Sequence, residues 1–419
     1  MNRRFSAALV DISPLRESPA YRALWLGQMV SLLGSNMRLV AVAWHVYALT
    51  GSTVMVGLVG LAEVVPLIAV SIFGGALVDT RDRKKLIVRA QLGLMLSSGG
   101  LAGITLAGEP SVGWIYLLTG IASAFNAIDR PARSALLPHV IAADKLTAAM
   151  ALRQVLFQTT TIVGPAIGGL LIEVVSVGWV YALDAASFSA ALIALRWVPV
   201  MPVAAAAGPT RFAAVKEGLA FAARTPVLMS IFVIDLVAMI FGMPRAVFPA
   251  LAKETFGMGA GGVGILYAAP AVGALVGALT TGWVSSVKRQ GLAVIVAVVV
   301  WGTAIALTGL SLFSLALTLT FLAIAGAADV VSAVFRGTIL LQKTPDALRG
   351  RLNALNIMVV TGGPRLGDVE AGLVAGALGA PASVVIGGIA CVAGAGLVAR
   401  LFPSLRAYVS PVGAEPVSG

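Results

Sequence analysis

Apolar stretches recur along this chain at a length close to that of a membrane-crossing helix, each closed by a short polar or glycine- and proline-containing break. A helix that spans a bilayer needs about 20 mostly apolar residues. On that measure the spans fall near 24–49, 54–78, 86–107, 112–130, 148–172, 178–197, 226–247, 261–284, 291–310, 313–335, 353–377 and 381–402. Breaks such as Gly108-Glu109-Pro110 and Gly379-Ala380-Pro381 read as tight turns at one face of the membrane. The segment 199–225 is different. Pro199, Pro202 and Ala204-Ala-Ala-Ala-Gly-Pro open it. Phe212, Val215, Leu219 and Ala222 then recur at helical spacing opposite Arg211, Glu217 and Arg224, the pattern of a helix lying in an interface. The expected organisation is an all-α polytopic membrane protein, with six-helix halves at 1–198 and 226–419 joined by a cytoplasmic connector at 199–225.

Composition agrees with that pattern. The 419 residues are 59% hydrophobic and 11% charged, with a mean hydropathy of +0.97. Soluble domains carry about 25% charged residues, so a water-soluble protein is excluded. The 47 glycines and 20 prolines are interspersed in apolar runs, which excludes a polar disordered chain. A net charge of +11 would point to nucleic acid in a soluble chain. Here it reflects the basic bias of cytoplasmic loops, and no nucleic-acid partner is expected. Of the 29 Lys and Arg, all but Arg38, Arg245, Lys253 and Arg365 fall on the faces that are cytoplasmic if both termini lie inside. Asp11 and Arg16 cut the first apolar stretch too short for a cleavable signal, so the start reads as a short cytoplasmic tail. One cysteine, Cys391, and two distant histidines, His45 and His139, leave no disulfide framework and no metal cluster, and no cofactor is expected.

The two halves echo one another. Gly75-x-Leu77-x-Asp79 recurs as Gly277-x-Leu279-x-Thr281. Arg133, Leu137, Gly164, Gly169 and Leu170 recur as Arg336, Leu340, Gly367, Gly372 and Leu373. A near-constant offset of half the chain indicates parallel six-helix repeats.

Gly75-Ala-Leu77-Val-Asp79-Thr-Arg81-Asp82-Arg83-Lys84 resembles the major facilitator signature G-x-L-x-D-x-x-G-R-K, with Asp82 where that family carries glycine. An acid closing one helix beside a basic cluster can pair with Arg130 or Arg133 at the end of the fourth span, or face a helix N-terminus. Asp79, Arg83, Lys84, Arg130 and Arg133 are therefore gating candidates, against the reading that the cluster only sets topology. Gly164-Pro165-Ala-Ile-Gly168-Gly169 resembles the G-P-x-x-G-G motif of exporters in that superfamily. Gly164, Pro165, Gly168 and Gly169 can bend the span and bring helices close, which serves gating or ordinary packing. Three strings extend the resemblance to the drug and siderophore exporter branch: Gln342-Lys-Thr-Pro345-Asp346-Ala-Leu-Arg349-Gly350-Arg351, Met243-Pro244-Arg245-Ala-Val-Phe248-Pro249 and Pro364-Arg365-Leu-Gly367-Asp368-Val-Glu370-Ala-Gly372. With Trp25-Leu-Gly27-Gln28 and Pro131-Ala-Arg133-Ser-Ala-Leu-Leu-Pro138, it covers nearly the whole chain.

Ionisable groups inside spans are functional candidates by default. Glu63 lies about 14 Å and Arg38 about 16 Å from the outer face at 1.5 Å per residue, so the two can pair. Glu63 is then a proton carrier, with Arg38 as its partner, or one end of a static bridge. Asp235 sits within the seventh span as a further coupling candidate. Arg245, Arg365, Asp368 and Glu370 lie toward the outer part of the seventh and eleventh spans, where they can form an outer gate or face a polar substrate. Asp368 and Glu370, two apart, point to different helix faces. An anionic ligand would take Arg38, Arg245 or Arg365 as counter-charge. Gln28 and Asn36 are cavity candidates, with Ser31, Asn126, Gln154 and Gln158. Asp184 and Asp329, nearer span ends, are expected to be solvated.

The resemblance implies a secondary active exporter of a small amphipathic molecule, siderophore-like or a hydrophobic drug, driven by protons through alternating access. It also implies a bacterial inner membrane location and a monomer in direct contact with lipid. No G-x-x-x-x-G-K-[ST] loop is present, which argues against self-powered transport. Import or lipid translocation on the same fold, and a non-transporting sensor, are the alternatives. An intramembrane enzyme would need a nucleophile with its base, or an H-E-x-x-H string, and the sequence has neither.

Overall fold

The computed structural model describes residues 11–73, 82–108, 110–198 and 211–410. Among them no β-strand occurs. Twelve long helices follow in order: α1 (Pro19–Thr50), α2 (Thr53–Phe73), α3 (Arg83–Leu106), α4 (Val112–Val140), α5 (Leu146–Val175), α6 (Val177–Ala194), α7 (Pro226–Phe241), α8 (Ala260–Thr280), α9 (Gln290–Leu310), α10 (Leu315–Lys343), α11 (Arg349–Leu378) and α12 (Ala380–Leu401). Ten helical stretches are long and apolar enough to cross a membrane on composition alone. The other two, α1 and α11, have 32 and 30 residues but carry several charged and polar side chains.

Several helix ends depart from the sequence expectation, among them that of α10, which runs to Lys343 rather than 335. α4 does not stop at 130 but runs through Pro131 and Pro138 to Val140, because a proline can be absorbed as a bend in a helix held by its neighbours. α7 ends early, at Phe241. Gly242 caps it and Pro244 cannot donate to a further turn; the indole Nε1–H of Trp301 donates to Gly242 O at 2.8 Å. Residues 1–10, the signature positions Gly75, Leu77, Asp79 and Arg81, Glu109 of the first expected turn, and the connector start at 199–210 lie outside the described residues. The connector helix Arg211–Arg224 is formed. Its Gly218 lies against the backbone of Arg351, and Arg351 donates to Glu217.

By compactness the chain divides into Met1–Leu49, Val65–Gly208 and Gly259–Ile265 in one unit, and Thr50–Val64, Pro209–Met258 and Leu266–Gly419 in the other. This is not a simple cut at the connector: the first part of α2 groups with the second unit and the start of α8 with the first. Within the first unit α3 packs on α4 and α6; within the second α9 packs on α10 and α12. The repeat seen in the sequence thus recurs in the packing. Gly164 of α5 fits against Asn36 of α1, and Gly367 of α11 fits against Met239 of α7, half a chain later in each case. The turns match too: Ser176 between α5 and α6 has φ 93° and ψ 163°, and Gly379 between α11 and α12 has φ 89° and ψ 155°.

Candidate functional site

Charge in the first unit begins at α1. Arg38 does not meet Glu63, as their matching depths had suggested. Its Nε lies 3.0 Å from Asp184 Oδ2 of α6, with side chains 9% and 0% exposed. Ser98 of α3 donates to the same oxygen at 2.6 Å. Asp184 is therefore not solvated: α6 turns it inward, where three helices converge. Glycine at 34 makes the approach possible, since a Cβ there would lie 2.8 Å from Asp184 Oδ1.

A cavity of about 150 Å³ lies within the same unit. Asp129 of α4 organises one wall. It accepts from Gln91 Nε2 of α3 at 3.0 Å and from Arg133 Nε at 2.7 Å. Arg130 and Arg153 line the cavity too, and Arg153 Nη1 donates to Ser134 Oγ at 2.8 Å. Of the sequence candidates, Gln28, Ser31 and Asn126 line it. Asn36 does not: its amide donates to Leu32 O within α1 at 2.8 Å, and its Cβ side receives Gly164. Asp129 and Gln91 were not singled out in the sequence. The spacing Asp129 to Arg133, one turn along a helix, is the signal that was available for the first of them.

In the second unit Asp235 of α7 pairs with Arg336 of α10 at 2.7 Å. Arg336 also lies 3.9 Å from Asp329 and donates to Ser332 Oγ at 2.5 Å. Arg336 had been assigned to the cytoplasmic face and Asp329 to solvent. Instead the arginine is buried, at 7% side-chain exposure, and holds both acids. Arg365 Nε of α11 lies 2.8 Å from Glu63 Oε2, and Arg245 Nη2 lies 3.3 Å from Asp368 Oδ2. The four-charge cluster expected on α7 and α11 therefore resolves into two pairs, with Glu63 rather than Glu370 as the second acid. Glu370 belongs to neither pair. Arg38, Arg245 and Arg365, the three counter-charges expected for an anion, each face a carboxylate.

The motif residues have mainly structural contacts. A Cβ on Gly168 would lie 2.8 Å from Met37 Cα, and Gly169 lies on Ala260. Asp82, the departure from the signature, is the N-cap of α3 and accepts from the backbone N–H groups of Lys84 and Lys85. Arg83 Nη1 donates to Ala135 O at 2.9 Å and Lys84 Nζ to Val198 O at 2.5 Å. At the other end of the chain Tyr408 Oη donates to Gln342 Oε1 at 2.6 Å, and burial pushes the Tyr408 phenol above its ordinary pKa.

The profile of the transmembrane secretion effector family matches residues 10–410. The chain is 31% identical over 400 residues to the enterobactin exporter EntS of Salmonella typhi, covering 95% of this chain and 94% of that one. It is 30% identical over 415 residues to the EntS of Citrobacter koseri, covering 98% of each. In fold it is similar to a bacterial homologue of the iron transporter ferroportin in an inward-facing state, with a TM-score of 0.70 at 15% identity over 93% of this chain and 98% of that one. A bacterial homologue of the lysosomal transporter Spinster gives a TM-score of 0.71 at 15% identity, over 94% and 98%.

Proposed function

The chain belongs to the transmembrane secretion effector family of the major facilitator superfamily and is a multi-pass membrane transporter, and from that premise we propose that it is a proton-driven exporter in a bacterial inner membrane. Its cargo is a small amphipathic molecule, siderophore-like before hydrophobic drug; kinship to enterobactin exporters over 98% of both chains supports this. Both termini lie in the cytoplasm, the protein works as a monomer, and the two six-helix repeats alternate access to the two sides. Arg83, Lys84 and the pairs Glu63 with Arg365 and Arg245 with Asp368 exchange partners as the cycle proceeds.

The observation that carries proton coupling is the Asp235–Arg336–Asp329 cluster. One guanidinium neutralises one carboxylate, and two like charges at one buried site are not both stable. Asp235, held at 2.7 Å and with its side chain 2% exposed, is the fixed partner. Asp329, at 3.9 Å and 24% exposed, is the group that takes up and gives back a proton. When Asp329 is neutral, Arg336 is committed to Asp235 and ties α10 to α7; when it is charged, the arginine is shared with an acid of its own helix and the link to α7 is loosened. We prefer it to Glu63 and Arg38 as the coupling site, because each of those stands in a one-to-one ion pair, whereas Arg336 is shared by two carboxylates.

The test is proton flux by the purified protein in liposomes under an imposed pH gradient, with candidate cargo supplied. Asp329→Asn is expected to abolish cargo-dependent proton movement while leaving downhill cargo movement in place; Glu63→Gln, which breaks a gating pair but not the coupling site, is expected to slow cargo movement while leaving it coupled to protons. Proton movement unchanged in Asp329→Asn would remove the coupling site. Cargo movement indifferent to the gradient in the wild type would remove coupling altogether.

A further inference from the structure

We infer that the cavity of the first unit is a binding site for the acidic end of an organic anion, with Arg130, Arg133 and Arg153 as its counter-charge. As a statement about cargo this rests on the exporter reading above; as a statement about binding it does not.

Three features of the cavity define the ligand. The first is charge. Three arginines and a single carboxylate, Asp129, line it, so the wall carries a net positive charge inside a low-dielectric unit where anions gain most from guanidinium contact. The second is an incomplete set of hydrogen bonds. Arg133, with its side chain 8% exposed, keeps a buried Nη2 with no hydrogen-bond partner among the described residues, and Gln91, 2% exposed, keeps a buried Oε1 in the same condition. Buried polar atoms are nearly always paired, and an orphaned donor or acceptor costs about 1–3 kcal/mol. Here one orphan is a cationic donor and the other an acceptor, and both residues line the one cavity. A ligand that satisfies both presents an anionic oxygen and, beside it, a hydroxyl or N–H. The third feature is size and lining. A cavity of about 150 Å³ matches the volume known to hold benzene, and Phe157 and Phe188 supply aromatic faces. The site therefore takes one ring-sized acidic group, the end of a larger molecule or a small acid by itself.

This assigns the anion to arginines other than Arg38, Arg245 and Arg365, the candidates expected from sequence. Those three face Asp184, Asp368 and Glu63, whereas Arg153 is bound to a neutral hydroxyl and keeps its charge available to a ligand.

The experiment uses the full chain in phosphatidylcholine nanodiscs, with 2-hydroxybenzoate as probe and benzoate and 2-hydroxybenzyl alcohol as controls. Binding is read by equilibrium dialysis of radiolabelled probe and by ligand-dependent melting temperature. The acid is expected to bind at least tenfold more tightly than the alcohol. Arg130→Gln with Arg153→Gln should weaken the acid at least tenfold, and Arg130→Lys with Arg153→Lys, which keeps the charge and reports on folding, should retain most of the affinity. Gln91→Leu should erase the preference for 2-hydroxybenzoate over benzoate. Equal binding of acid and alcohol, or binding unchanged in the double Gln variant, overturns the site. Loss of probe binding on adding equimolar phosphatidylglycerol, with the lipid headgroup protected by the same arginines, would make this a lipid-headgroup site and overturn the assignment to cargo. Binding as expected with no proton-coupled movement of any acid in liposomes would leave the site standing and remove the exporter reading.

Discussion

Asp184 has its charge balanced by the Arg38 guanidinium and by the hydroxyls of Ser98 and Ser35, all on other helices. Removing one partner of a buried pair leaves an uncompensated charge and costs about 3–5 kcal/mol, whereas replacing both by apolar residues is often near neutral. Arg38→Ala should therefore lower the unfolding free energy of the solubilised protein by about 3–5 kcal/mol, and Arg38→Met with Asp184→Leu should restore most of it. Denaturant titration followed by tryptophan fluorescence reads both. Equal losses in the single and double variants would show that the pair is not what holds α1 to α6. Ser176 gives a prediction of opposite sign. Its φ of 93° and ψ of 163° belong to a region almost confined to glycine, where another residue is strained by about 1–3 kcal/mol. Ser176→Gly relieves that strain against a smaller gain in unfolded-chain entropy, and a net stabilisation of about 1 kcal/mol is expected, seen as a raised melting temperature. At this scale the sequence was legible only in part. Asp235 and Glu63 stood out because ionisable groups in apolar runs are rare. Asp129, Asp184, Asp329 and Arg336 did not, because they lie near span ends, where depth alone cannot tell a solvated charge from one turned inward.

Between helices the contacts that matter are made by small residues. Gly168 of α5 leaves room for α1, and a Cβ would lie 2.8 Å from Met37 Cα; Gly367 of α11 leaves room for α7, and a Cβ would lie 2.5 Å from Met239 O. In both cases the obstacle is backbone, which cannot rotate away. Gly168→Ala and Gly367→Ala should each destabilise by about 1–3 kcal/mol. Gly103 in α3 has nothing within 4 Å of the position of a Cβ, and Gly103→Ala should be neutral or stabilise by up to about 1 kcal/mol. The three variants are compared by melting temperature in one detergent. A loss at Gly103 as large as at Gly168 would mean that helix contact is not the cause. The G-P-x-x-G-G string was read from sequence as serving gating or packing. The packing contact is present in the structure, and any gating role would act through that same surface.

For the whole molecule, orientation is the property most directly open to test. With Cys391→Ala as background, Ser111→Cys and Asp346→Cys report on loops expected at opposite faces, and both parent residues are exposed. An impermeant maleimide applied to intact spheroplasts should label position 111 and not 346 until the cells are opened. The reverse pattern would invert the topology drawn from the basic residues. The spans, the repeat and the family signature were all present in the chain itself, since each depends on a periodic or local property: hydropathy over a bilayer thickness, an offset of half the length, or a short run of residue types. The partners of the charges were not. Depth along a helix follows from residue number at a fixed rise, but which helix stands opposite, and which face it presents, follows from how all the helices pack together. Hence the sequence determined only that Arg38, Glu63, Asp235 and Arg365 fall in expected spans, and the tertiary structure alone decided that Arg38 meets Asp184, Glu63 meets Arg365 and Asp235 shares Arg336 with Asp329. The arginine-lined cavity was decided there as well, because it draws its walls from helices that are distant in sequence and brought together only by packing.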